Sequence, residues 1–550
     1  MLNMKNKNLA VAIICSAIAV ASCTKPVSEL ALYIPKEATA VFTIDTKAIT
    51  DKIASSGITI DSLARLFENQ HNESGTRWDD IKQSGIDLDK PVYIFSKQTS
   101  SIQQGNIESG ALIAEVKNPK QVEAFFKKKS DHSNVLSGDK FQYVVLDNDN
   151  VAGWTDKILI VSTNKNNNDS NGVSTSSKQQ LATLFSLKKS ASISSLDEFT
   201  DLLAKPGDMH FYINTAAGLN TTAVTGMTNL NSLAENSYTE GVINFEKGRI
   251  VATTEMHYNK TLSGILSKYP SKSIDEDMIK NYPGTLASFG AISFDPKVLI
   301  DIIHQLGFDV VADGFSSSVG FTTNDVVNAF RGDIAIMFSP RSKIQEEHPA
   351  SGESGFLLNL LIGDKTAFDK VMTGLLKKEI LTKNGDEYKL GLAGGHGFVI
   401  ETTGNSLFIS SSDELIKAYQ SPGNKTALPP DVEKEISGKT MAVYVDVNEL
   451  LKSRTLKDSS NDGQAKVSKS AKETFKNFIV TADKGDGKTI KGNMELNFVN
   501  ANENSLASLV KFIAVAQQEK LNQKNGWTAY PPLSGLQEYS FSDSKNALKQ

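Results

Sequence analysis

Short apolar segments with near-period-two alternation recur along this chain, separated by segments whose apolar residues fall at helical spacing. Residues 40–45, 92–96, 110–114, 158–160 and 209–214 predict strands. A second set follows in the same order at 288–295, 335–339, 355–359, 407–409 and 441–446. The offsets stay close, from 250 residues (Asp45 to Asp295) to 232 (Met209 to Met441). Single apolar strands recur by chance in any protein, but five in one order at nearly one offset predict a tandem duplication.

Each set closes alike. Residues 242–245, a turn at Glu246-Lys247-Gly248, and residues 249–258 predict a hairpin, as do 478–482, 483–487 and 488–498. A helical pattern follows each, at 262–269 and at 506–521. The mixture is not a regular β-α-β alternation. It predicts an α+β fold made of two tandem copies of a mostly antiparallel sheet-plus-helices unit, with helices on one face of each sheet. The boundaries read as a leader at 1–22, a tether at 23–37, repeats at 38–280 and 281–525, and a tail at 526–550. Polar, low-complexity stretches at 164–177, 342–354 and 457–472 predict exposed loops.

The first residues change the picture. Lys5 and Lys7 precede an apolar run from Leu9 to Val20, then Val20-Ala21-Ser22-Cys23. The run is too short to span a bilayer permanently, and the small residues before Cys23 suit a signal peptidase. This is the pattern of a secretion signal ending in a lipobox. Diacylation of Cys23 would anchor the mature protein in a membrane through its acyl chains. Thr24 follows the Cys, and no acidic residue occurs before Glu29. The expectation is an outer-membrane lipoprotein on the periplasmic face rather than the cell surface.

Composition bounds the rest. At 550 residues the chain exceeds one core, and 39% apolar with 22% charged residues is ordinary for a globular protein. Loss of Lys5 and Lys7 takes the formal charge from −5 to −7. With no basic stripe, nucleic acid is not an expected partner. Cys15 leaves with the leader and Cys23 becomes a thioether. The mature chain then has no disulfide, thiolate metal site or cysteine nucleophile.

Several motifs read as structure rather than chemistry. Asp45, Asn214, Asp295 and Asp446 each end a strand before a helix, where a side-chain oxygen caps orphan N–H groups. Asp295-Pro296, with Gly307 past the helix end, adds the proline and glycine signals. Residues 482–489, Ala-Asp-Lys-Gly-Asp-Gly-Lys-Thr, fit a relaxed phosphate-loop pattern, but an alternating strand follows where a helix is needed. Asp147-Asn148-Asp149-Asn150 lacks the rest of a calcium loop, since Val151, Ala152 and Ile158 stand where the pattern needs Asp or Asn, Gly and Glu. The histidines 71, 132, 210, 257, 304, 348 and 396 show no metal spacing, although His210 and His257 lie on strands of one copy and could approach. Gly391-Leu392-Ala393-Gly394-Gly395-His396-Gly397 precedes a strand and reads as a turn.

After the lipobox, Tyr33-Ile34-Pro35-Lys36-Glu37-Ala38 leads into residues 41–45. This resembles an uncharacterised lipoprotein family of Bacteroides-type bacteria, whose members open with YIPKDA-x-x-V-x-x-I-D soon after the lipidated Cys. The resemblance implies a location and an architecture across nearly all of the mature chain, and no activity.

No catalytic motif emerges, and no cofactor or metal site is expected. The functional expectation is a lipid-anchored envelope protein with a non-catalytic binding or scaffolding ectodomain, facing an envelope protein or glycan. Two alternatives stay open: a carrier of a lipid or other apolar ligand, which needs a large apolar cavity, and a carboxylate-dependent hydrolase, which needs two close carboxyl groups in a cleft.

Overall fold

The computed structural model describes residues 29–56, 78–101, 105–129, 134–147, 149–166, 174–216, 230–339, 355–385, 387–390, 398–421, 423, 426, 428–453 and 462–522. Cys23, the leader, the tail, and residues 342–354 and 391–397 lie outside them, as do the histidines 71, 132, 348 and 396.

The strands in the first part of the chain are β1 (Ala40–Ile44), β2 (Val92–Ser101), β3 (Gly105–Glu115), β4 (Leu136–Ser137), β5 (Gln142–Val145), β6 (Asn150–Trp154), β7 (Ile158–Asn166), β8 (Met209–Asn214), β9 (Tyr238–Phe245) and β10 (Arg249–His257). Those in the second are β11 (Ser288–Ser293), β12 (Phe330–Ser339), β13 (Gly355–Ile362), β14 (Leu381–Asn384), β15 (Glu387–Leu390), β16 (Val399–Thr403), β17 (Ser406–Ser410), β18 (Met441–Asp446), β19 (Phe475–Ala482) and β20 (Thr489–Phe498). All twenty belong to one sheet, and every pairing is antiparallel.

The β10–β20 pair joins the two parts. Outward from β10 the order is β9, β8, β1, β2, β3, β7, β6, β5, β4. Outward from β20 it is β19, β18, β11, β12, β13, β17, β16, β15, β14. Two separate sheets were the expectation. Instead the long outer strands of both hairpins pair over nine residues, from Arg249↔Asn497 to His257↔Thr489, so neither is left as an open edge.

Among the described helices are α1 (Thr46–Ser55), α2 (Pro119–Lys129), α3 (Ser174–Phe185), α4 (Asp197–Ala204), α5 (Lys260–Leu266), α6 (Val298–Leu306), α7 (Lys365–Lys377), α8 (Asp413–Gln420), α9 (Pro430–Ile436) and α10 (Ser505–Asn522). They cover both faces, not one. On the first face, Leu181 and Leu184 of α3 and Phe199 and Leu202 of α4 bury Val41, Phe95, Ile160 and Tyr212. Leu415 and Ile416 of α8 and Val432 of α9 do the same for Phe289, Met337, Leu357 and Tyr444. On the second face, α2 covers only the outer strands, with Phe126 stacked on Trp154 at 5.7 Å. At the opposite end α7 covers Ile400 and Leu407. Near the middle, Ile53 of α1 and Leu506 and Val510 of α10 pack on Phe245.

Capping explains the helix starts. The carboxylates of Asp45 and Asp446 accept from the N–H groups of Ala48 and Glu449, each at 2.9 Å. Asp295 departs from expectation. Its Oδ1 accepts from Lys297 N–H at 3.0 Å in an Asx-type turn, and α6 begins only at Val298. Gly307 ends α6 in the left-handed region at φ 73°. Two other stretches depart from expectation. Leu30, Ala31 and Ile34, assigned to a tether, are fully buried. Within 457–472, Asp462–Thr474 is a helix packed on α10, with Val467 buried. Its Gln, Ala and Lys residues are good helix formers, which outweighs the low complexity.

Candidate functional site

The sheet face turned away from α3, α4, α8 and α9 is apolar along its central strands and only partly covered. Leu112, Ile94, Phe42, Phe211, Gly241, Thr254, Gly492, Ala482, Met441, Ile292 and Ile334 stand in direct register across eleven strands. Phe42, Ile94, Ile213, Met256, Ile292 and Met494 keep 36–39% of their surface exposed. Six large apolar side chains on one sheet face, each over a third exposed, are unlike the scattered apolar residues of an ordinary surface.

The face deepens into a groove where the two parts meet. A cavity of about 620 Å³ lies over β8, β9, β10, β20, β19, β18 and β11. Phe211, Ile213, Met256, Met441, Ile292 and Met494 form its floor, and Tyr258, Leu266, Tyr269, Phe294 and Val298 form a wall at the α5–α6 end. Two glycines let neighbouring side chains lie flat on the floor. Thr254 is flanked by Gly241 and Gly492. A Cβ at Gly241 would lie 2.3 Å from the Phe211 ring, and one at Gly492 would lie 2.6 Å from Thr254 Oγ1. A further hollow of about 320 Å³ continues over β2 and β3 along Ile94, Leu112 and Val161.

The groove has little ionic character. Among its lining residues Asp295 is the carboxylate, and the side chain of Lys491 alternates onto the opposite face, in register with Glu255. Asp295 is engaged in its turn, and one carboxylate does not make the pair that glycoside hydrolysis uses. Burial raises the pKa of the Tyr258 hydroxyl. Tyr269 is also raised, by desolvation and by its hydrogen bond to Asp301. Both phenols stay neutral, with an apolar ring and a polar tip at the rim. Size and lining match a site for a small apolar ligand.

The sequence candidates bring no reactive groups to the groove, although Ala482, Gly485 and Gly487 of one of them line its edge. Residues 482–489 form the hairpin turn between β19 and β20. There Asp486 Oδ1 accepts from Lys488 N–H at 2.8 Å and Thr489 N–H at 2.6 Å, and Gly487 takes φ +83°. Asp147 closes the β5–β6 turn, accepting from Asp149 and Asn150 N–H groups. Burial works to raise its pKa, but these bonds and the Asn150 amide hold it below the usual range. His210 and His257 do not meet: they are four residues apart in register and two strands apart. His210 Nε2 bonds the Lys205 carbonyl at 2.8 Å. His257 stacks on Tyr238 and approaches Glu240 and Glu255. Burial and nearby carboxylates, Glu198 first and then Glu240 and Glu255, push Tyr238 up to about 12.

Comparison with known proteins supplies a family and no activity. The family model described as a domain of unknown function, DUF4836, matches residues 32–418, and the chain belongs to that family. No curated protein matches it. Among solved structures, crystal forms I and IV of TP0453 are similar at 15% and 12% identity, with TM-scores of 0.24 and 0.25. Each comparison covers 43% of this chain, and 81% and 83% of TP0453. A likeness at that level assigns neither fold nor activity.

Proposed function

We propose that this DUF4836 member is a lipid-anchored envelope protein whose ectodomain holds an acyl chain, or a similarly elongated apolar molecule, in the groove over β8–β11 and β18–β20. Of the three functional expectations, this is the apolar-ligand carrier. One observation carries it: an open cavity of about 620 Å³ floored by apolar side chains on a sheet face that helices cover only in part, α2 and α7 toward its ends and α1 and α10 beside Phe245. Exposed apolar area of that kind is costly in water unless something apolar covers it. An elongated ligand fits best because the row of apolar residues runs across strands rather than into one pit. The reading is non-catalytic.

The envelope location rests on the leader at 1–22 and acylation of Cys23, with the periplasmic face of the outer membrane favoured. Further, residues 38–280 and 281–525 are proposed to be copies of one unit. In support, the strand order outward from β10 matches that outward from β20, element for element in chain order. The groove would then lie at the seam between copies.

The test is extraction. The full chain, purified in a mild detergent and washed, is extracted with organic solvent, and the extract is analysed by mass spectrometry. Acyl chains on Cys23 are covalent and stay with the protein. The reading predicts near-stoichiometric non-covalent lipid that a fluorescent fatty acid displaces. Neither co-purified lipid nor saturable fatty-acid binding would overturn it.

A further inference from the structure

The same two strands carry a different chemistry on the face turned away from the groove. Glu240 and Glu255 stand directly opposite each other in the β9–β10 register. His257, two residues along β10 from Glu255, projects from the same face. Its Nε2 lies 3.5 Å from Glu255 Oε1 and 3.9 Å from Glu240 Oε1. One ligand atom from each of the three residues lies within 4.8 Å of the others. Nε2 is closed off from solvent and makes no hydrogen bond. The ring is fixed by Tyr238, with centroids 4.4 Å apart and planes within 13°.

Like charges directly opposite on adjacent strands destabilise a sheet. Here the Glu240 side chain is only 7% exposed, which strengthens the repulsion. Lys205 Nζ sits 2.6 Å from Glu240 Oε1, and Lys491 pairs in register with Glu255 from β20. Neither engages Nε2. The spacing around that nitrogen is long for a hydrogen bond. It is close to the separation of about 3.4 Å between neighbouring ligand atoms around a tetrahedral zinc with bonds of about 2.0–2.1 Å. One imidazole and two carboxylates are a donor set for borderline divalent metals.

We propose that Glu240, Glu255 and His257 bind one divalent transition cation of the zinc class, with a fourth position open to water. Lys205, whose side chain is 43% exposed, swings into solvent as the cation takes its place beside Glu240. The site is independent of the groove reading. The two share strands, since Thr239, Thr254 and Met256 face the groove between these ligands.

The test uses the full chain with affinity tags removed and metal stripped by a chelator. It is titrated with cobalt(II), followed by visible absorbance, and then with zinc(II) by displacement. Saturation at one equivalent is expected, with zinc bleaching the cobalt band. His257→Ala should abolish the band, Glu255→Gln should weaken affinity at least tenfold, and His304→Ala, on the exposed surface, should change nothing. Lys205→Ala should tighten binding, because it removes the competing ammonium. Glu255→Gln and Lys205→Ala keep or trim side chains without opening a core, so the outcome does not hang on His257→Ala folding. Absence of saturable uptake by the wild type, or uptake indifferent to Glu255→Gln and Lys205→Ala, overturns the proposal.

Discussion

Thr254→Trp is the sharpest perturbation of the groove. Thr254 lies at the centre of the floor and lines the cavity, between Gly492 and the Phe211 ring that lies over Gly241, so a large side chain there projects up into the cavity. Trp suits a strand, and the change lies on the open face, so the fold should lose less than about 1 kcal/mol. An indole at that point divides the floor between its Phe211–Met256 and Met441–Met494 sides. It denies an acyl chain about four to six methylenes of contact at about 0.8 kcal/mol each, or about 3–5 kcal/mol. Affinity should fall by about two to three and a half orders of magnitude. Competition against a fluorescent fatty acid reads the affinity, and thermal melting checks the fold. A Thr254→Trp protein that melts normally and binds as tightly as the wild type would place the ligand elsewhere.

Other consequences follow from single contacts. Tyr282 is fully buried and donates its hydroxyl to the Gly355 carbonyl at 2.7 Å, so Tyr282→Phe should cost about 1–2 kcal/mol in urea unfolding; no loss would mean that water or another donor serves that carbonyl. Asp295→Ala removes one Asx-turn bond rather than a helix cap, and should cost about 1 kcal/mol or less while leaving fatty-acid affinity within twofold; loss of affinity with an unchanged melting temperature would make Asp295 a ligand contact. The Lys370 ammonium, then the Thr322 hydroxyl, hold the Asp325 carboxyl below the usual range. Its stabilisation is therefore full above the ordinary value of about 3.9 and lost as pH falls through the lower folded value. The stability gap between wild type and Asp325→Asn should be present at pH 7 and shrink below about pH 4, and a gap that persists at acid pH contradicts the assignment. Cys23→Ala should abolish fatty-acid labelling of the chain; labelling that persists would refute the lipobox.

Local signals were legible in the sequence because they are written over a few residues. The caps at Asp45 and Asp446, the Gly307 stop and the β19–β20 hairpin each need only a short window, and each appears in the structure. The groove was not legible, for a physical reason. Phe42, Phe211 and Thr254, or Gly492, Met441 and Ile292, become neighbours only through strand register, which alternation alone does not assign across such separations. A signal existed: Val92-Tyr93-Ile94-Phe95 is apolar on both faces of its strand, the mark of a sheet with something on each side. Glu240 and Glu255 were missed for a different reason: the predicted hairpin does pair β9 with β10, but its first strand starts only at residue 242, two short of the Glu240 that faces Glu255, and His257 is weighed only against His210. The pairing of β10 with β20 lay out of reach too, since it joins strands 240 residues apart at Thr253↔Asn493.

The most direct measurement of the central claim is a crystal structure of the chain grown with a terminally brominated fatty acid, with data collected at the bromine edge. The account predicts an anomalous peak within the cavity bounded by Phe211, Met256, Met441 and Met494, and density for the chain along the strand-crossing apolar row. A bromine site elsewhere on the molecule, or a groove holding only ordered water beside a soaked and saturating ligand, would contradict it.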